Sequence, residues 1–180
     1  MRYLSVGLAM LALIASGLIG VYLSGSLDME EAGTASSIQV GQPAPDFILS
    51  DKAGKAYSLS ALKGQVVLVN FWATWCPPCR AEIPSMDKLY SNYNKGGLEI
   101  LAINVEPEGR QIIDKFSKEN PHSFPVVFDR DGTVQGQYGV YKFPETFVID
   151  KQGIIVERVI GAIDWTDPAV LSYLNGKMQE

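Results

Sequence analysis

The chain has 180 residues, 47% of them hydrophobic and 19% charged, which is enough for one well-buried core and too little for two full domains. A net charge of -5 provides no cluster of Lys and Arg for phosphates and argues against nucleic acid as a partner. The single histidine, His122, stands in a proline-flanked loop, so zinc catalysis or a Ser-His-Asp triad would rest on one residue better read as a solvated loop histidine.

The stretch from Leu4 to Leu23 is uncharged and mostly apolar. As a helix rising 1.5 Å per residue it would span about 30 Å, the thickness of a bilayer core. Arg2 precedes it and Asp28, Glu30 and Glu31 follow it, a polarity that predicts a cytoplasmic N-terminus and an exported domain. Residues 1–25 therefore read as a membrane anchor, with a cleaved signal peptide as the alternative. Ser24-x-Ser26 matches the preferred alanines of a cleavage site poorly, and no cysteine follows the run to carry a lipid. Either way the globular part is expected outside the cytoplasm, where dithiols tend to become disulfides. Residues 26–40 are small and polar and read as a flexible tether, and residues 41–180 form the folded domain.

The domain opens with two short strand-like runs, Phe47 to Leu49 and Tyr57 to Leu59, around the turn Asp51-Lys52-Ala53-Gly54, which predicts a hairpin. Val66 to Trp72 is a continuous apolar run bounded by Gly64 and a cysteine loop, as expected of a central strand buried on both faces. Ile83, Met86, Leu89 or Tyr90, and Tyr93 recur at helical spacing over residues 79–94, with Pro84 expected to kink that helix. A strand from Leu98 to Val105 leads to a helix near 109–119 with Ile112, Ile113 and Phe116 as its apolar stripe. Short strands follow at Val126 to Phe128, Thr146 to Asp150 and Ile154 to Ile160, separated by turns at Asp131-Gly132 and Lys151-Gln152-Gly153. Asp167-Pro168 then starts a terminal helix. Strands alternating with helices predict an α/β fold.

The only cysteines, Cys76 and Cys79, are three residues apart. A zinc site would lack ligands, and so short a loop makes a weak structural staple, which leaves redox chemistry as the leading reading. Cys76 falls where a strand ends and a helix begins. Backbone N–H groups and the helix dipole there favour its thiolate, which makes it the nucleophile, and Cys79, one turn inside, the resolving thiol. Pro77 and Pro78 carry no N–H, so the thiolate has few donors and a reducing poise is expected.

The segment Asn70-Phe71-Trp72-Ala73-Thr74-Trp75-Cys76-Pro77-Pro78-Cys79-Arg80-Ala81-Glu82 resembles the active-site stretch of the thioredoxin superfamily. The resemblance covers roughly residues 40–175 and is strongest to the membrane-anchored thiol:disulfide oxidoreductases of the TlpA, ResA and CcmG kind, several of which act in cytochrome c maturation. It includes Gly41-Gln42-Pro43-Ala44-Pro45-Asp46-Phe47, Pro84 and Phe143-Pro144-Glu145-Thr146-Phe147-Val148-Ile149-Asp150. It implies a thioredoxin-like fold: a central mixed β-sheet flanked by helices, an N-terminal hairpin and a central βα insertion. It also implies that Pro144 is cis and faces the cysteines, with the backbone of Phe143 open to a substrate peptide. Trp75, Pro77, Pro78, Phe143 and Pro144 are thus the expected substrate-binding residues, and Trp72 and Trp75 are expected to shield the site. Many thioredoxins carry a titrating aspartate six residues before the first cysteine. Asn70 stands there and cannot titrate, and the resemblance points instead to Glu106, or Glu108, for handling the proton.

The first function this implies is a reductase of extracytoplasmic protein disulfides, such as those of apocytochrome c Cys-x-x-Cys-His segments. It would be re-reduced by a membrane thiol electron donor of the DsbD/CcdA type and need no cofactor. A general disulfide reductase or oxidase would use the same residues. A peroxidase shares the Gly-x-Pro-Ala-Pro-Asp-Phe opening but needs a threonine where Ala73 stands, three residues before Cys76. A tethered binding domain that uses the groove only to hold a partner is the non-enzymatic alternative.

Overall fold

A computed structural model describes residues 38–180. The expected membrane anchor and residues 26–37 of the expected tether lie outside the described residues. Among the described residues no helix is long and apolar enough to cross a membrane.

The first strands, β1 (Ile48–Ser50) and β2 (Ala56–Ser58), pair antiparallel as the predicted hairpin, each bound within one residue of its expected place. Asp51 closes the turn by accepting the N–H groups of Ala53 and Lys55 on one carboxylate oxygen. A 3₁₀ turn at Ser60–Leu62 then leads into β3 (Val66–Trp72), every residue of which is buried.

β3 is the centre of a five-stranded sheet completed by β4 (Leu98–Asn104), β5 (Val126–Phe128), β6 (Glu145–Ile149) and β7 (Ile155–Ile160). The order is β5-β4-β3-β6-β7, with β3, β4 and β5 mutually parallel, β6 antiparallel to β3 and β7 antiparallel to β6. Helix α1 (Pro77–Tyr93) connects β3 to β4, α2 (Gly109–Glu119) connects β4 to β5, and α4 (Pro168–Gln179) ends the chain. The short α3 (Thr133–Gln137) was not predicted and follows the expected Asp131-Gly132 turn, where Gly132 takes a left-handed conformation with φ +71°. β4, α2, β5 and α3 fill the region between Cys79 and Pro144, where the central βα insertion is expected.

Alternation along β3 divides the core into two layers. Val66, Leu68 and Trp72 pack with α1, with Ile113 and Phe116 of α2 and with Leu174 of α4. Val67, Val69 and Phe71 face Tyr138, Phe147 and the hairpin side, where Phe47 and Leu59 close the layer. Full burial of each large apolar side chain contributes about 1.5–3 kcal/mol, so a doubly covered β3 is a rigid base for the loop at its end. Ile38 also packs into this second layer and is buried, although the sequence reading places it in the tether.

Candidate active site

β3 ends at Trp72, and Ala73 to Trp75 carry the chain into α1. The Cys76 N–H donates to the Ala73 carbonyl at 3.2 Å, which tightens this turn. Cys76 is the N-cap of α1 in an extended conformation, and its sulfur accepts the Cys79 N–H at 3.3 Å. Pro77 and Pro78 occupy the first helical positions, where a missing N–H leaves no helical bond unmade. The first helical bond therefore runs from the Arg80 N–H to the Cys76 carbonyl at 3.1 Å. The helix starts at the redox pair because both prolines permit a start and neither permits an extension backward.

Cys76 and Cys79 form a disulfide with their Cα atoms 5.3 Å apart. Both residues are buried in the α1 layer, Cys76 at 3% and Cys79 at 1% exposure. Around them the surface is open: Trp75 is 65% exposed, and Pro77 and Pro78 are exposed. The Phe143–Pro144 peptide bond is cis. Half-buried Phe143 meets Trp75 edge to face at 6.0 Å between ring centroids, so the cis-proline loop and the cysteine loop share one surface. Pro144 itself is buried, and its carbonyl accepts the Gly161 N–H at 2.8 Å. Trp72 does not lie on this surface. It is buried against Phe116 of α2, with ring centroids 5.0 Å apart.

Glu106, Glu108 and Glu82 lie near the cysteine loop in different surroundings. Glu106 follows β4 and is buried, and its carboxylate accepts the Thr74 N–H at 2.6 Å and the Thr74 hydroxyl at 2.9 Å. Asn104 donates to it as well, at 2.9 Å. Glu106 therefore clamps the residue two before Cys76. Glu108 is exposed at the start of α2 and makes no capping bond with its side chain.

Glu82, which the sequence reading did not single out, is a further candidate for handling the proton. It stands one turn after Cys79 on α1 and is 2% exposed. Asn70 donates to one carboxylate oxygen at 2.9 Å, and the Trp165 indole donates to the other at 3.1 Å. Burial pushes the Glu82 carboxyl up to about 7, against the opposing pull of the Trp165 and Asn70 donors. A carboxyl held there can exchange a proton near neutrality, and it stands one turn from Cys79 on the buried face of the helix. The available signal was its position, three residues after Cys79 and on the same face of the helix.

Residues 40–158 match the model of the AhpC/TSA family. The chain belongs to the AhpC/TSA family. Within that family, the thiol-disulfide oxidoreductase ResA of Geobacillus thermodenitrificans is 42% identical over 132 residues, covering 73% of this chain and 75% of its own. ResA of Bacillus subtilis is 41% identical over 139 residues, covering 77% of this chain and 76% of its own. Among solved structures, the thiol:disulfide interchange protein DsbE of Chlorobium tepidum superposes with a TM-score of 0.72 at 32% identity, covering 79% of this chain and 99% of its own. The fold is thioredoxin-like, and this AhpC/TSA member is a ResA/DsbE-like thiol-disulfide oxidoreductase with Cys76 and Cys79 as its disulfide. Ala73, three residues before Cys76, offers no hydroxyl, and the hydroxyl of Thr74 is engaged by Glu106.

Proposed function

We propose that the chain is an extracytoplasmic reductase of protein disulfides, acting on segments such as the Cys-x-x-Cys-His of apocytochrome c during cytochrome c maturation. The observation that carries this reading is the surface shared by Trp75, Pro77, Pro78 and the Phe143–Pro144 cis bond around the redox pair. An extended peptide can lie there with its backbone against Phe143 and a disulfide over Cys76. The thiolate of Cys76 attacks a substrate sulfur and expels the other substrate sulfur as thiolate, which leaves a mixed disulfide. Glu82 takes the proton of Cys79, the Cys79 thiolate attacks Cys76, and the second substrate sulfur leaves. The substrate disulfide gains two electrons and the Cys76–Cys79 pair loses two.

Glu106 supports the first step by fixing Thr74, and with it the turn that presents Cys76. We assign the proton to Glu82 in preference to Glu106 or Glu108 because Glu82 shares the buried face of α1 with Cys79. The apolar run from Leu4 to Leu23 supports a single-pass anchor with the domain outside the cytoplasm. A membrane thiol carrier of the DsbD/CcdA type then resupplies the electrons.

The test is trapping. Cys79→Ser in the full chain, expressed in cells that make c-type cytochromes, stalls the reaction at the mixed disulfide on Cys76. The expected adduct is an apocytochrome segment released by thiols. Adducts confined to proteins without a Cys-x-x-Cys-His segment would overturn the substrate assignment.

A further inference from the structure

Trp165 sits in the loop between β7 and α4, 83 residues from Glu82 in sequence, yet both its backbone and its side chain are tied to one turn of α1. Its main-chain N–H donates to the Ser85 hydroxyl at 3.2 Å, and Ser85 in turn donates to the Glu82 carbonyl at 2.9 Å. Its indole N–H reaches Oε2 of Glu82 at 3.1 Å, while Asn70 holds Oε1. Trp165 is 1% exposed and Glu82 2% exposed, so each group is the other's partner inside the core. A phenylalanine would fill most of this volume equally well. The ring nitrogen is needed only by the carboxylate.

A surface cavity of about 440 Å³ adjoins this bond, lined by Glu82, Ser85 and Lys88 of α1 and by Ile163, Asp164 and Thr166 of the loop. We propose that Trp165 is a positioning residue for the thiol-disulfide reaction: its indole N–H holds the Glu82 carboxylate and sets the pH at which that group exchanges protons with Cys79 and the adjoining cavity.

The inference rests on the reading of Glu82 as the proton-handling group. An N–H donor binds a charged carboxylate more strongly than the neutral acid, so the indole favours the charged form and opposes the effect of burial. The Ile163 main-chain N–H acts in the same sense. Other groups facing Glu82 are the uncharged Asn70 of β3, which also bonds Thr146 of β6, and Cys79 one turn earlier on α1. Lys88 and Asp164 stand exposed where the cavity opens, and the Lys88 charge acts on Asp164. The indole is the side-chain donor at Oε2.

The experiment follows two resonances in the oxidised full chain in detergent, where the cysteines do not titrate: the Glu82 carboxyl carbon and the Trp165 indole N–H. Both are expected to move with one common midpoint near 7, and the indole inflection is expected to vanish in Glu82→Gln. In Trp165→Phe the carboxyl midpoint is expected to rise, and the rising limb of the pH profile for reduction of a protein disulfide is expected to move to higher pH with it. If the carboxyl titrates while the indole resonance stays flat, the Trp165 inference is overturned and the reading of Glu82 stands. If the carboxyl shows no inflection between pH 5 and 9, the reading of Glu82 falls and the inference falls with it. The wild-type titration needs no variant to fold, and comparison with Trp165→Phe separates a tuning donor from a bulky core residue.

Discussion

The side-chain amide of Asn70 donates to Oε1 of Glu82 at 2.9 Å, and the same nitrogen donates to the Thr146 hydroxyl at 2.9 Å. Asn70 occupies the position six residues before Cys76, where it cannot itself take a proton. Its amide orients a carboxyl that can, carried on the neighbouring helix. That carboxyl shares the buried face of α1 with Cys79.

This arrangement makes folding stability depend on pH. Burial holds the Glu82 carboxyl at about 7 against an ordinary value of 4.5. Between those two values the unfolded chain releases the proton and the folded chain keeps it, so stability falls as pH rises through that window and levels off above it. The full effect is roughly 3 kcal/mol. Denaturant midpoints of the oxidised protein at pH 5, 7 and 8.5 should decline in that order, and Glu82→Gln should remove most of the decline.

Glu106 should behave differently. Glu106→Ala leaves the Thr74 N–H and the Asn104 amide without their acceptor, a loss of about 1–3 kcal/mol for buried donors. We expect faster hydrogen exchange at Thr74 and slower attack by Cys76, with the pH midpoint of the reaction unchanged. A midpoint that moves in Glu106→Gln but not in Glu82→Gln would return the proton to Glu106.

Gly109 supports that clamp from behind. A Cβ added there would lie 2.0 Å from Oδ1 of Asn104 and 3.0 Å from the Phe128 ring. Both neighbours are buried, and Asn104 is the residue that holds Glu106. Gly109→Ala should therefore cost about 1–3 kcal/mol by overpacking, read as a lower Tm, and should loosen Thr74 as Glu106→Ala does.

On the opposite face of the sheet, Glu145 follows Pro144 and is 1% exposed, paired with Arg158 of β7. The Arg158 guanidinium also lies 5.2 Å from the centre of the Phe147 ring. Arg158→Met should leave Glu145 buried and unpaired, at a cost of about 3–5 kcal/mol. The double variant Glu145→Gln with Arg158→Met should recover much of that loss in chemical denaturation.

Much of the fold was legible because its signals are local. Val66 to Trp72 is an apolar run closed by a glycine and by the cysteine loop, and β3 has those bounds. Asp167-Pro168 carries its own start signal, and Asp167 caps α4 by accepting the Ala169 N–H at 2.8 Å. The missed α3 is five residues long and contains Gly136, too short to show a period. Trp72, expected to shield the site, is drawn under α2 by Phe116, a contact between residues 44 positions apart that no pattern near the cysteines records. The burial of Glu82 was hidden for the same reason. A glutamate on an amphipathic helix reads as a solvated residue until Trp165 arrives from the far end of the chain to cover it.

The most direct test of the reductase reading is the reduction potential of the Cys76–Cys79 couple in the full chain, equilibrated in defined thiol buffers. Pro77 and Pro78 supply no N–H, so the main-chain donor at the Cys76 sulfur is Cys79, and a weakly stabilised thiolate favours the disulfide form. A reductase should give a value of about -270 mV, on the thioredoxin side of the range. A value of about -120 mV would mark an oxidant and contradict the assignment as a reductase.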